Sequence, residues 1–271
     1  MHFSGVVLAL ESPLHIGAGR GGMVLRSRGF VPGHVLSYAL AAAMGKAAGG
    51  TPDAFAGALR QVQAETHCGP LLILDPGRGP LLPRVDRALI ESRYLVGRNQ
   101  VTLDPLACSA VDSALFEVES ISPRVLTGDH RGEPVRLVGG IWHRDHRLGD
   151  RLLKQWLPDC LLGGELKSGL GRVRLDAWRP GDSRYAGRWT VAAGGLSVDA
   201  GEILPGPCLD GGVDSPLEPW IGRLHDPVKG FGQRFSGAAL VRMDARCAAP
   251  GCFLPATGEV GLGCWRADHG D

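Results

Sequence analysis

The segment LLGGELKSGLGRVRL, residues 161–175, brings Gly163, Gly164, Gly169 and Gly171 together with Lys167, Arg172 and Arg174. Cationic side chains neutralise phosphates, and glycines let a backbone come close to an extended chain of them. The same composition also suits a tight surface turn with solvated charges. A second segment, HIGAGRGGMVLRSRGFVPG at 15–33, repeats the pattern with four glycines before Met23 and with Arg20, Arg26 and Arg28. A third, ESRYLVGRNQ at 91–100, adds Arg93 and Arg98 around Tyr94, an aromatic ring that can stack on a base or fill a core. Two separate glycine/arginine loops beside strand ends point to a surface that tracks phosphates. A nucleoside triphosphate site is disfavoured, because a P-loop follows a strand and opens a helix, whereas here a helix precedes the glycines and a strand follows.

Other reactive side chains form weaker patterns. His15 and His34 flank the second segment, and a histidine at the start of a helix can act as a general base. His143 and His146, in WHRDHRLGD, are read as solvated loop histidines. Cys247, Cys252, Cys264 and His269 could furnish a Cys3His zinc site, although the close C-x2-C knuckle is missing and buried free thiols are the plainer reading. No G-x-S-x-G, H-E-x-x-H or EF-hand motif is present. No catalytic residue is assigned, and no cofactor is expected beyond the zinc candidate.

These residues sit in a chain of 271 residues with 29 basic and 28 acidic side chains, a formal net charge of +1. No global field attracts an anionic partner, so any such partner must meet a local patch. Only Lys46, Lys154, Lys167 and Lys229 are lysines; the rest of the basic residues are arginines, whose planar fork suits phosphates, although a G+C-rich genome biases the count in the same way. Hydrophobic residues make up 44%, ordinary for a globular chain, while 41 glycines and 6% aromatics imply many turns. Seven cysteines without a secretion signal read as reduced thiols. No stretch has the length of a membrane span, and a cytoplasmic protein without a membrane partner is expected.

The pattern predicts a strand over residues 3–11, a glycine-rich loop with a small hairpin to Gly33, and helices at GHVLSYALAAAMGKAAG and PDAFAGALRQVQAE. GPLLILDP follows as a strand, and residues 76–110 carry no clear period. A strand at 114–121 is expected to pair antiparallel with PVRLVGGIWH. A short helix ending near Pro158 and a strand at LGRVRLDAW then bracket the glycine-rich stretch. The expected domains are 1–178 and a β-rich part at 179–271 packed on it.

Five segments in order, SPLHIGAGRGG, GFVPGHVLSYALAAAMG, RNQVTLDPLACSAVDSALFEVESISP, PVRLVGGIW and LLGGELKSGLGRVRL, resemble the RAMP superfamily of CRISPR-Cas proteins over residues 8–178. The resemblance implies an α+β fold: a ferredoxin-like, RRM-related βαββαβ domain whose glycine-rich loop, 163–171, helps hold guide RNA. Members serve as repeating backbone subunits, as caps on the 5′ handle of the guide, or as the endoribonuclease that matures it. Processing nucleases of the superfamily carry the glycine-rich loop near the end of the chain, and His34 occupies the place of a small polar residue in non-catalytic members. The target-cleaving repeating subunits carry an acidic residue in the loop that here reads AGRGGMVLRSRGFVPG, which has none.

The expected role is therefore a non-catalytic, RNA-binding subunit of a type III-like effector, most similar to the handle-capping (Cas-five-like) subunits. Its expected partners are the guide RNA, other Cas effector subunits including repeating ones, and target nucleic acid through the complex. The RNA contacts would be Arg20, Arg26, Arg28, Arg93, Arg98, Lys167 and Arg172, with Gly163, Gly164, Gly169 and Gly171 allowing close approach. The rivals are a repeating backbone subunit, a guide-processing nuclease, and an unrelated β-rich interaction domain whose glycine/arginine loops are ordinary turns.

Overall fold

The computed structural model describes residues 1–104, 106–107, 109–192 and 195–208, and beyond these a set of short strands within 213–267. In chain order the elements are β1 (His2–Leu10), β2 (Gly17–Gly21), β3 (Val24–Ser27), β4 (Phe30–Val31), α1 (Gly33–Ala47), α2 (Pro52–Glu65), β5 (Thr66–Cys68), β6 (Leu71–Asp75), β7 (Gly79–Pro80), α3 (Arg87–Arg93), β8 (Leu95–Asp104) and β9 (Ser109–Ile121). Then come β10 (Arg136–His143), β11 (Arg147–Leu148), β12 (Arg151–Leu152), α4 (Leu153–Trp156), β13 (Val173–Pro180), β14 (Arg184–Tyr185), β15 (Trp189–Ala192) and β16 (Gly195–Val198). The chain is α+β, rich in strands, with mostly antiparallel pairing.

Strand β1 has no polar face: every residue from Phe3 to Leu10 is buried. Such a strand is stable only inside a sheet covered on both sides. It lies in the sheet β13–β1–β10–β6–β4, antiparallel throughout, with β5 beside β10 and β7 beside β6. On one face Val6, Leu8 and Leu10 of β1, Leu137 and Ile141 of β10, and Leu71 and Ile73 of β6 pack against Leu36 and Leu40 of α1, Leu59 and Val62 of α2, and Trp156 of α4. On the other face Phe3, Val7, Leu72, Val138 and Trp142 meet Tyr185, Trp189, Leu196 and Val198. That second layer is a sheet of β14, β15, β16 and the strands Gly251–Leu254 and Cys264–Ala267. Each of these large side chains contributes about 1.5–3 kcal/mol by leaving water.

The two helices start and stop where the local chemistry requires. The Thr51 hydroxyl accepts from the Ala54 N–H at 3.2 Å and Pro52 occupies the first turn, where its missing N–H costs nothing. Between the helices, Gly49 has φ +104°, a left-handed turn that ends α1.

A further four-stranded sheet runs β2–β3–β9–β8, with β3 parallel to β9. The predicted partnership of the 114–121 strand with PVRLVGGIWH is therefore incorrect: β9 pairs with β8 and β3, while β10 pairs with β1, β6 and β5. The reason is burial. From Leu137 to His143 β10 is buried throughout and needs covered neighbours, whereas β9 carries Glu117 and Glu119. Helix α3 and strand β8 fill the region that carried no period, because seven helical residues and a solvent-facing strand leave little apolar pattern.

Candidate nucleic-acid interface

Residues 11–16, which lead into the first glycine/arginine segment, lie against the second glycine/arginine loop, far away in the chain. Strands β1 and β13 are neighbours, with Leu10 opposite Val173, so the turn leaving β1 and the turn entering β13 emerge at the same end of the sheet. Backbone bonds then join them. The Gly164 N–H donates to the His15 carbonyl at 2.8 Å, the Gly171 N–H to the Pro13 carbonyl at 2.9 Å, and the Glu11 N–H to the Arg172 carbonyl at 3.0 Å. The Ser12 hydroxyl oxygen accepts from the Arg172 N–H at 2.9 Å. Strand β9 closes the group: Leu14 and Ile121 exchange bonds at 2.9 and 2.8 Å, and His15 Nδ1–H donates to the Glu119 carbonyl at 2.6 Å. A carbonyl only accepts, so Nδ1 carries a proton.

The glycines divide by what surrounds them. Gly163 has φ +78° and a Cβ there would collide with the His15 carbonyl oxygen; Gly171, at φ +86°, would collide with the Leu162 carbonyl. Their missing side chains let protein backbones approach one another. Gly169, also left-handed, faces open space and lies beside exposed Lys167. Gly164 lies beside the His15 ring.

The predicted cations differ as much. Lys167 and Arg172 are exposed on the joined loops, Arg98 is exposed on β8, and none of the three has an ion pair among the described residues. Arg20 is exposed at the β2–β3 hairpin, its Nε–H donating to the Gly22 carbonyl at 2.8 Å. Arg28 is half-buried and bonds Ile16 through its backbone N–H at 2.7 Å. Arg26 is 3.4 Å from Glu119, and Arg93 is 3.6 Å from the buried Asp75 carboxylate. Register places Arg98 opposite Val118 and Leu25 opposite the same residue, so Arg98 projects from the face of this sheet away from Glu117 and Glu119. Arg26, paired with Glu119, lies on the other face. The seven predicted cations thus do not form one patch, and Arg174 of the same motif is engaged by Glu11 and Asp176.

Tyr94 is not available for base stacking: it is 1% exposed, and its hydroxyl donates to Asp75 Oδ2 at 2.7 Å. Asp75 also accepts from the Gly77 and Arg78 N–H groups. Burial alone would raise its pKa, yet the Tyr94 and backbone hydrogen bonds with the Arg93 charge hold it below the ordinary carboxylate value. Burial and the Asp75 charge push the Tyr94 hydroxyl well up. This network ties the end of β6 to the start of β8, and nothing in the local sequence joins residues 75 and 94.

His143, read from sequence as a solvated loop residue, is not one. It closes β10, is fully buried, and lies 2.9 Å through Nε2 from the Ser4 hydroxyl; burial and the nearby His146 and His2 lower its pKa. His146 is exposed. His34 occupies the first turn of α1, edge-on to Tyr38 with ring centroids 6.1 Å apart. Of the zinc candidates, Cys247 is a buried free thiol whose pKa is pushed up to about 11 by burial. Cys252 and Cys264 belong to paired strands, opposite Arg266 and Leu254; their side chains, and His269 altogether, lie outside the described residues. Among the described residues no three His, Cys, Asp or Glu side chains form a group that could hold a metal ion, and no helix is long and apolar enough to cross a membrane.

No family model and no curated protein matches the chain. Among solved structures it is similar to a chain of the type III-B Cmr-beta complex bound to cognate target RNA and AMPPnP, determined by cryo-EM. That likeness has a TM-score of 0.45 at 11% identity and covers 91% of this chain and 84% of that one.

Proposed function

We propose that this chain is a non-catalytic, RNA-binding subunit of a type III-like CRISPR effector complex, holding or capping the 5′ handle of the guide RNA in antiviral defence. The observation that carries the reading is the joining of residues 11–15, at the start of the first glycine/arginine segment, to the 163–172 loop at one end of the β13–β1 pair, with Lys167 and Arg172 exposed on that loop and, among the described residues, free of carboxylates. Cations held on a well-ordered backbone and left unneutralised are what a phosphate chain requires. Supporting it is the strand order β13–β1–β10–β6, with helices after β1 and after β10, which is the fourth–first–third–second order of a ferredoxin-like βαββαβ unit. In this reading residues 1–178 form the RNA-binding domain and 179–271 a β-rich domain covering the sheet's other face. The partners are the guide, the other Cas subunits and, through the complex, target nucleic acid, all in the cytoplasm.

A second reading, a repeating backbone subunit, is favoured by the β8–β9 hairpin, whose arms of 10 and 13 residues have the shape of a thumb that separates neighbouring guide segments. Native mass of the assembled complex distinguishes the two: one copy fits the cap, several the repeat. The decisive experiment on RNA binding is a titration of the purified full chain with the guide RNA recovered from the complex, across a series of salt concentrations. The pair K167E and R172E should weaken binding at least about tenfold and lower the log–log salt slope by roughly 1 to 1.5, for two lost phosphate contacts. Unchanged affinity and slope would defeat the reading. Cleavage of repeat RNA that disappears in H34A would replace it with a processing nuclease.

A further inference from the structure

Strand β8, LVGRNQVTLD, ends the sheet β2–β3–β9–β8, and among the described residues no strand pairs with its outer edge. A ten-residue edge with open N–H and carbonyl groups is a template for another strand. Apolar side chains accompany it: Val96, Val101 and Leu103 are 36%, 43% and 63% exposed. Arg98 and Asp104 are its only charged residues. Among the described residues Arg98 has no ion pair, and Asp104 uses Oδ1 to accept from the Leu106 and Ala107 N–H groups at 2.8 and 3.1 Å, leaving Oδ2 uncommitted there.

These positions are complementary to themselves. Place a second copy antiparallel with the two-fold axis through Val101, and Arg98 of each copy lies opposite Asp104 of the other. In that register Val101 meets Val101, Asn99 meets Leu103, and Gln100 meets Thr102. Every charge is paired, and Val101 and Leu103 lie on one face of the joined sheet, with Val96 on the other. We propose that the β8 edge is a homodimerisation surface, on which the RNA-free chain pairs with a second copy of itself in this register. The inference rests on the edge strand alone and does not depend on the RNA-binding reading.

The test is sedimentation of the nuclease-treated, RNA-free full chain over a concentration series. The wild-type chain should form a dimer. R98D and D104R should each weaken self-association at least about tenfold, since each puts like charges in register twice. Mixed in equal amounts, the two variants should form a heterodimer of near wild-type affinity. A wild-type chain that is monomeric throughout, or single variants that dimerise like wild type, would overturn the proposal; so would a mixture that regains nothing while both variants keep the wild-type circular dichroism spectrum.

Discussion

The central sheet and the β2–β3–β9–β8 sheet are both built from apolar and β-branched residues, but they use them oppositely. In β1 and β10 almost every side chain is covered, by helices on one face and by the 184–198 strands on the other. In β8 and β9 Val101, Leu103, Val111 and Leu115 face water. The first sheet supplies stability, and the second displays apolar side chains at the protein surface. The joined loops continue β1 and lead into β13 on one side and are hydrogen-bonded to β9 on the other.

The contrast predicts a steep gradient of mutational effects. Trp142→Ala should be the most damaging, at about 3–5 kcal/mol in a denaturant titration, because this fully buried ring fills the space between Phe3 and Tyr185. Next is the loop junction. Gly163→Ala should cost at least about 2 kcal/mol, combining an unfavourable φ with the collision at His15, whereas Gly169→Ala should cost only about 1 kcal/mol, the left-handed backbone alone. Equal losses at the two glycines would mean the loops are not held together as described.

Between the sheets, Tyr94→Phe should cost about 1–3 kcal/mol by removing a donor from buried Asp75. Asp75 also sets a pH dependence. Its carboxyl has a lower pKa folded than unfolded, so its contribution is complete above roughly pH 4, the unfolded value, and is lost as pH falls further through the folded value. A Tm series from pH 6 downward should show this decline in the wild-type chain and a shallower one in Asp75→Asn. The smallest effect is expected on the exposed sheet: Leu103→Ser should change stability by no more than about 0.5 kcal/mol. A loss there comparable to that of Trp142→Ala would erase the distinction between the two sheets.

Where a run of residues carries its own period, the reading from sequence agrees with the structure. The helices Gly33–Ala47 and Pro52–Glu65 and the strands β1, β6 and β13 were visible because capping, proline placement and apolar continuity are local signals. Strand β8 was not visible, because a solvent-exposed edge needs no alternation. Sequence leaves Tyr94 open between base stacking and the core and misreads His143 as solvated, because a polar side chain in a turn-rich segment shows its burial only when a distant partner, Asp75 or Ser4, is brought to it.

The candidate interface shows the same division. Which residues carry glycine freedom and positive charge is written in the chain, and so is the order of helix, glycine turn and strand that disfavours a triphosphate loop. That Gly163 and Gly171 serve contact between loops while Gly169 remains open, that Arg26 and Arg93 meet carboxylates while, among the described residues, Lys167 and Arg172 do not, was decided only by folding. Residue type and spacing act over a few positions. Neutralisation and close approach depend on neighbours such as Glu119 and His15, which only the pairing of the sheets brings within bonding distance.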